Sequence, residues 1–207
     1  MRTGITGGIG SGKSYVCHLL NERGITVYDC DAAAKRLMRN SPQLRQQITD
    51  LIGPEAYLKN SELRIPNSEL RITNSELPVL NKAVVAKFLL ESEANAQALN
   101  AIVHPAVFDD FLQSGIEWVE SAILYESGLD KLVDRVVVVT APLEVRIARV
   151  MARDNITREK ALEWIAKQLP QEELTARADF EIVNDGQQPL QPQIDRLFLT
   201  RIPTNST

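Results

Sequence analysis

Near the amino terminus, Gly7-Gly8-Ile9-Gly10-Ser11-Gly12-Lys13-Ser14 satisfies the pattern GxxxxGK[ST] between a short β-prone stretch and a helical one. No other feature restricts the fold of this chain as tightly. Glycines let a backbone turn its N–H groups inward around an anion, and the helix that follows adds positive potential at its N-terminus. The lysine reaches the outer phosphates of a nucleoside triphosphate, and the serine hydroxyl holds Mg²⁺. Gly8, Ile9, Gly10, Ser11 and Gly12 are thus the expected phosphate contacts. Lys13, Ser14 and Tyr15 continue that set into the helix, with Ser14 as the metal ligand.

The whole chain has 207 residues, 44% of them hydrophobic and 24% charged, a composition that buries a sizeable core and argues against disorder. Lysine and arginine number 23 against 27 acidic residues, a net charge of −4, so no basic surface advertises a nucleic acid or a membrane as partner. No apolar run approaches the ~20 residues that span a bilayer. The two cysteines, Cys17 and Cys30, lack CxxC spacing and read as reduced thiols of a cytoplasmic protein.

Strand-like segments at 4–6, 25–28, 122–125, 136–140 and 180–183 alternate with helical ones, the pattern of an α/β fold on a mostly parallel sheet. The unbroken run Val136-Val137-Val138-Val139 suits a strand buried on both faces and marks the expected middle of the sheet. Punctuation places helices at 13–23 before Gly24, from Ser41-Pro42 to Gly53, and after Pro142. Others are expected at 79–90, 92–103, 105–113, 157–168 and 190–200. Residues 41–113 offer no strand and read as a helical, substrate-facing insertion.

Within that insertion Asn60-Ser61-Glu62-Leu63-Arg64-Ile65-Pro66 recurs as Asn67-Ser68-Glu69-Leu70-Arg71-Ile72-Thr73 and begins again at Asn74, a period of seven. Pro66, Pro78 and fewer than three copies argue against a coiled coil. A duplication in a surface loop is expected, with a partner-binding strand or hairpin as the alternative.

A phosphate loop does not specify the reaction. Asn81-Lys82-Ala83-Val84 lacks the aspartate of a guanine-reading NKxD, and the nearest analogue of a Walker-B strand, Ile123-Leu124-Tyr125-Glu126, carries a single carboxylate. A small-molecule kinase fits better than a GTPase or a motor. Asp29-Cys30-Asp31 follows the second strand, at the sheet edge where open α/β sheets place ligands, and strand alternation sends both acids to one side. Such a carboxylate can orient a hydroxyl and accept its proton, although either acid could simply cap a helix. Arg146, Arg149 and Arg153 share one helical face after the valine strand; Arg149 and Arg153 are favoured as phosphate clamps over a solvated basic face. His104 before Pro105 can be a helix-start residue.

Together these residues resemble the dephospho-coenzyme A kinase family. The match runs in order through Thr6–Ser14, Asp29-Cys30-Asp31-Ala32, Leu99–Pro105, Leu124–Asp130, Arg149–Asp154 and Ala178-Asp179-Phe180 to Asn184-Asp185-Gly186. The resemblance implies a P-loop kinase fold: a mostly parallel five-stranded sheet flanked by helices, with a helical substrate-binding insertion and a helical lid. Its nucleotide core would comprise 1–40, 114–152 and 178–207, its coenzyme A-binding insertion 41–113 with the tandem repeat at 60–78, and its lid 153–177. It implies transfer of the ATP γ-phosphoryl to the ribose 3′-hydroxyl of dephospho-coenzyme A with Mg²⁺. Asp31 would be the general base; Lys13 and Arg149 would assist it. Arg149, Arg153 and Asn184 would contact ATP, and Asp29, Lys35, His104 and Glu126 would join Asp31 around the acceptor.

Four positions depart from the family pattern. Tyr15 replaces a small residue, Lys35 stands where arginine is common, and Ala122-Ile123 replace a proline-containing strand start. The family's loop after Tyr57 holds one turn like 60–63, so the repeat reads as its expansion. Another kinase of the nucleoside monophosphate type, or a non-catalytic nucleotide-binding regulator, is the alternative. A monomer and a weak homo-oligomer both remain open.

Overall fold

Thr3–Thr6 forms β1, a four-residue strand with every residue buried, and the phosphate-loop sequence leaves its carboxyl end. The computed structural model describes residues 1–58 and 78–199. Two compact units divide the chain: Met1–Asp29 with Gly115–Thr207, and Cys30–Ser114.

In the first unit β1 is followed by α1 (Lys13–Glu22) and β2 (Val27–Asp29). After the second unit come β5 (Trp118–Glu120), β6 (Arg135–Thr140), α6 (Leu143–Asp154), α7 (Arg158–Ala166), α8 (Gln171–Arg177), β7 (Phe180–Val183) and α9 (Leu190–Leu199). The five strands are all parallel, in the order β2-β5-β1-β6-β7. Their carboxyl ends therefore line up along one edge, so Asp29, Glu120, Thr140 and Val183 share that edge with the start of the phosphate loop. On one face Ile5, Val137, Val139 and Ile182 pack with Val16, Leu19 and Leu20 of α1 and Ile194 and Leu197 of α9. Each such side chain contributes about 2 kcal/mol by leaving water. Gly4 has no side chain because Leu124 fills the space: a Cβ there would come 2.6 Å from Leu124 Cδ1.

Arg135 lies buried at the start of β6, donating to Thr3 Oγ1 at 2.9 Å and Leu197 O at 3.0 Å between the rings of Trp118 and Phe180. It satisfies a terminal carbonyl of α9.

The second unit holds α2 (Cys30–Asn40), α3 (Pro42–Ile52), the antiparallel pair β3 (Tyr57–Leu58) and β4 (Val79–Leu80), α4 (Lys82–Glu91) and α5 (Glu93–Ser114). Ser41 caps α3 by accepting from Leu44 N, Pro42 occupies its first turn and Gly53 ends it at φ +119°. The Tyr57 hydroxyl donates to Met38 O at 2.8 Å.

Several sequence expectations shift. The strand placed at 122–125 is a turn, and the strand is Trp118–Glu120. The apolar run misled because Leu124 is buried as a plug beneath Gly4 rather than as a strand residue. The valine strand is interior but not central; β1 holds the centre, hidden by its composition Thr-Gly-Ile-Thr. The segment placed at 25–28 pairs only over Val27–Asp29. Residues 41–113 do contain strands, the short β3–β4 pair, where Val79 had been expected in a helix. Helices placed either side of Pro105 are one, because Leu99, Val103, Val107 and Phe111 make a single buried stripe across the proline. Four buried apolar side chains outweigh the roughly 3 kcal/mol that an internal proline costs. The helix Gln171–Arg177 was not placed by periodicity, although it falls in the stretch 153–177 that the resemblance implies is a helical lid. The repeat at 60–77 lies outside the described residues, as does residue 200. No helix among the described residues is long and apolar enough to cross a membrane.

Candidate active site

The turn after β1 is built from glycines for steric reasons. Gly10 and Gly12 have φ of +80° and +92°, the left-handed region. A Cβ on Gly10 would come 2.6 Å from Arg146 O, and one on Gly12 would strike Asn184 Nδ2. Gly12 is also the N-cap of α1 and supplies no capping side chain. The first amides of α1 therefore face the sheet edge with the helix dipole behind them, an arrangement that suits an anion.

Lys13 opens α1, and its Nζ lies 3.4 Å from Glu120 Oε1, with the two side chains only 10% and 16% exposed. Glu120 is the last residue of β5 and pairs in register with Asp29, the last of β2. Two carboxylates thus sit side by side at the strand ends nearest the loop. One turn along α1, burial and the charge of Glu120 push the Cys17 thiol up to about 12, against a lowering pull from Lys13. It stays protonated and is no nucleophile.

Behind the loop α6 presents Arg146 and Arg149. Arg146 is 5% exposed and donates from Nε to Ile9 O at 3.0 Å. Burial lowers its pKa, opposed by Glu172. Arg149 donates from Nη1 to Gly10 O at 3.3 Å and Ser11 O at 3.2 Å, and from Nη2 to Asn184 Oδ1 at 3.3 Å. Asn184, just past β7, donates from Nδ2 to Ser11 O at 2.9 Å and from its backbone to Thr140 O at 2.8 Å. These bonds take carbonyls from behind the loop. The hydroxyls of Thr6 and Ser11 are buried at its base without a protein partner.

All of the remaining candidates except His104 are exposed. Arg153, two turns beyond Arg146, is 61% exposed and pairs with Asp154 at 2.7 Å. Glu126 is exposed in the turn after β5, where Oε1 accepts from Leu169 N at 3.4 Å. Tyr15 and Ser14 are exposed on the first turn of α1. Asp29 is exposed at the end of β2, but the strand stops there and α2 begins at Cys30. Strand alternation therefore cannot relate Asp29 to Asp31, which lies exposed in the first turn of α2 with Lys35 one turn further. His104 is half-buried on α5, stacked on Phe108 at 6.0 Å, and burial lowers its pKa.

Three residues at this edge went unmarked by sequence reasoning. Glu120 ends the β-prone Trp118-Val119 and was the readable signal for a strand-end carboxylate. Arg146 belonged to the recognised arginine face but was passed over for Arg153. Gln168, whose Oε1 accepts from Ile9 N at 2.6 Å, carried no signal.

Comparison with known proteins bears on the whole chain. The family model described as dephospho-CoA kinase matches residues 1–189. A dephospho-CoA kinase of Bacteroides fragilis is 39% identical over 205 residues, covering 96% of this chain and 91% of the relative. The crystal structure of a protein from Thermus thermophilus superimposes with a TM-score of 0.77 at 30% identity, covering 96% of both chains. That of a dephospho-CoA kinase from Campylobacter jejuni gives 0.60 at 18% identity, covering 96% of this chain and 95% of that one, a likeness of fold.

Proposed function

Because this chain belongs to the dephospho-CoA kinase family and so catalyses the last step of coenzyme A synthesis, the ATP-dependent phosphorylation of dephospho-coenzyme A, we propose the following roles for its residues. The amides of Gly8, Gly10, Gly12, Lys13 and Ser14 receive the triphosphate, and Lys13 and Arg149 stabilise the charge that spreads over the transferring group. Asp31 takes the proton of the ribose 3′-hydroxyl as that oxygen bonds to the γ-phosphorus and the bond to the β,γ-bridging oxygen breaks, releasing ADP.

The donor set fits Mg²⁺. Hydroxyl and carboxylate oxygens are hard ligands, and this ion takes one or two from protein beside phosphate oxygens and water. Ser14 and Glu120 would hold it, and it would supply charge neutralisation at the phosphates.

Residues 41–113 are assigned to the coenzyme A moiety, with Lys35, His104, Asp29 and Glu126 on the acceptor side. Residues 153–177 are assigned as the lid, and Arg153 as its contact to ATP. Residues 1–40, 114–152 and 178–207 make the nucleotide core. Cys17 and Cys30 are both thiols, which fits a reducing compartment, and the reaction is assigned to the cytoplasm.

The observation that carries the nucleotide assignment is the loop whose carbonyls are held by Arg146, Arg149 and Asn184; the N–H groups of Ile9, Ser11 and Tyr15 are given to Gln168 Oε1, Gly8 O and Gly12 O, leaving the amides between them for phosphate. ADP release measured with dephospho-coenzyme A, nucleoside monophosphates and shikimate tests the acceptor. Turnover is expected with dephospho-coenzyme A; a preference for either alternative would overturn that assignment.

A further inference from the structure

Ile9 is held at each of its handles. Its N–H donates to Gln168 Oε1 at 2.6 Å, its carbonyl accepts from Arg146 Nε at 3.0 Å, and its side chain packs on the cluster of Ile147, Val150 and Ala161 beside Trp164 and Ile165. Gln168 follows α7 in a connection that is itself fastened down: Leu169 N donates to Glu126 Oε1 at 3.4 Å, and Gln171 Oε1 accepts from Ala141 N at 3.1 Å. The amide acceptor for Ile9 thus hangs from a segment tied to the sheet edge, 159 residues away in sequence.

A backbone N–H is a single donor, so an Ile9 proton given to Gln168 is not given to phosphate. Ile9 also sits between Gly7-Gly8 and Gly10, where the backbone has the most freedom to lose on ordering. Ordering that segment before nucleotide arrives removes the loss from the binding step.

We propose that Gln168 is a positioning residue for phosphoryl transfer: it withdraws the Ile9 amide from the phosphate donors and holds the Gly8–Ile9 peptide in its ATP-receiving shape. Gln168 acts through the loop and not on the substrate, and the inference rests on the reading of that loop as the ATP site. It removes Ile9 N–H, though not its neighbours, from the donors expected from sequence.

The test follows the Ile9 amide by hydrogen exchange in NMR, with and without ATP, beside steady-state kinetics for wild type, Gln168→Met and Gln168→Glu. Methionine keeps the length with only a weak acceptor; glutamate keeps a strong one. Wild-type Ile9 should exchange slowly without ATP and gain no further protection from it. In Gln168→Met exchange should accelerate and kcat/KM for ATP fall about tenfold, the scale of one net hydrogen bond, with KM for dephospho-coenzyme A unchanged. Gln168→Glu should restore slow exchange. A lower KM for ATP in Gln168→Met would show Gln168 competing with phosphate and overturn the proposal. So would an unchanged kcat/KM beside a lowered Tm. If Gln168→Met does not fold, wild-type Ile9 protection that appears only with ATP is the overturning result. Failure of ATP to move the Gly10–Lys13 amide signals would overturn the nucleotide site itself; the other outcomes overturn the role of Gln168 alone.

Discussion

The Lys13 ammonium sits 3.4 Å from the Glu120 carboxylate, joining the first residue of α1 to the last of β5. Parallel pairing of β5 with β1 brings this about, since Ile5 and Glu120 are register partners and the loop departs one residue later. The nearly buried acid aims the lysine, and Glu120 is also the carboxylate proposed above for Mg²⁺.

Glu120→Gln should therefore lower kcat by about 10²-fold and raise the Mg²⁺ concentration needed for half-maximal rate, the scale of losing one aimed electrostatic group. Steady-state rates across a Mg²⁺ titration check it. A lowered Tm with normal kinetics would reduce Glu120 to a structural partner of Lys13.

Asp31→Asn keeps the shape of the side chain and removes its ability to take a proton. The expected result is a kcat at least ~10²-fold lower with ATP affinity little changed. Calorimetric titration with a non-hydrolysable ATP analogue, run beside the rate measurement, separates the two quantities. An unaltered kcat would assign the proton to another group.

Burial holds the His104 pKa below its ordinary 6.5. The unfolded chain then binds the proton first as pH falls, so stability is undiminished above pH 6.5 and declines from there toward the folded-state pKa. Tm should drop between pH 7.5 and pH 5, and His104→Gln should flatten that part of the profile. An identical slope in the variant would place the acid sensitivity elsewhere.

Deleting residues 67–73 removes one copy of the repeat from a connection whose ends, Leu58 and Val79, already pair in the β3–β4 ladder. Closing a shorter loop changes the entropy by only a few tenths of a kcal/mol. Tm and kcat should barely move. A large fall in either would show that the repeat packs or binds.

Features written in local spacing were readable. The phosphate loop, the Ser41-Pro42 start and Gly53 end of α3, and the length of β6 each depend on residues within one or two turns. Propensity and sterics act at that range. The arginine face was readable as a face, since a spacing of three and four sets side chains on one side of a helix. Which arginine meets the loop was not, because that depends on where α6 docks: Arg146 and Arg149 reach Ile9, Gly10 and Ser11, while Arg153 overshoots and pairs with Asp154.

The amino-acid order alone established a nucleotide-binding α/β chain, because the loop, its strand and its helix are contiguous and each constrains the next. The partners of that loop were decided only by folding. Glu120 is brought there by the pairing of a three-residue strand with β1 and β2, Asn184 by the end of the edge strand β7, and Gln168 by the connection beyond α7. Their approach depends on parallel strand order and helix docking, long-range pairings that no local pattern encodes and that buried apolar area selects.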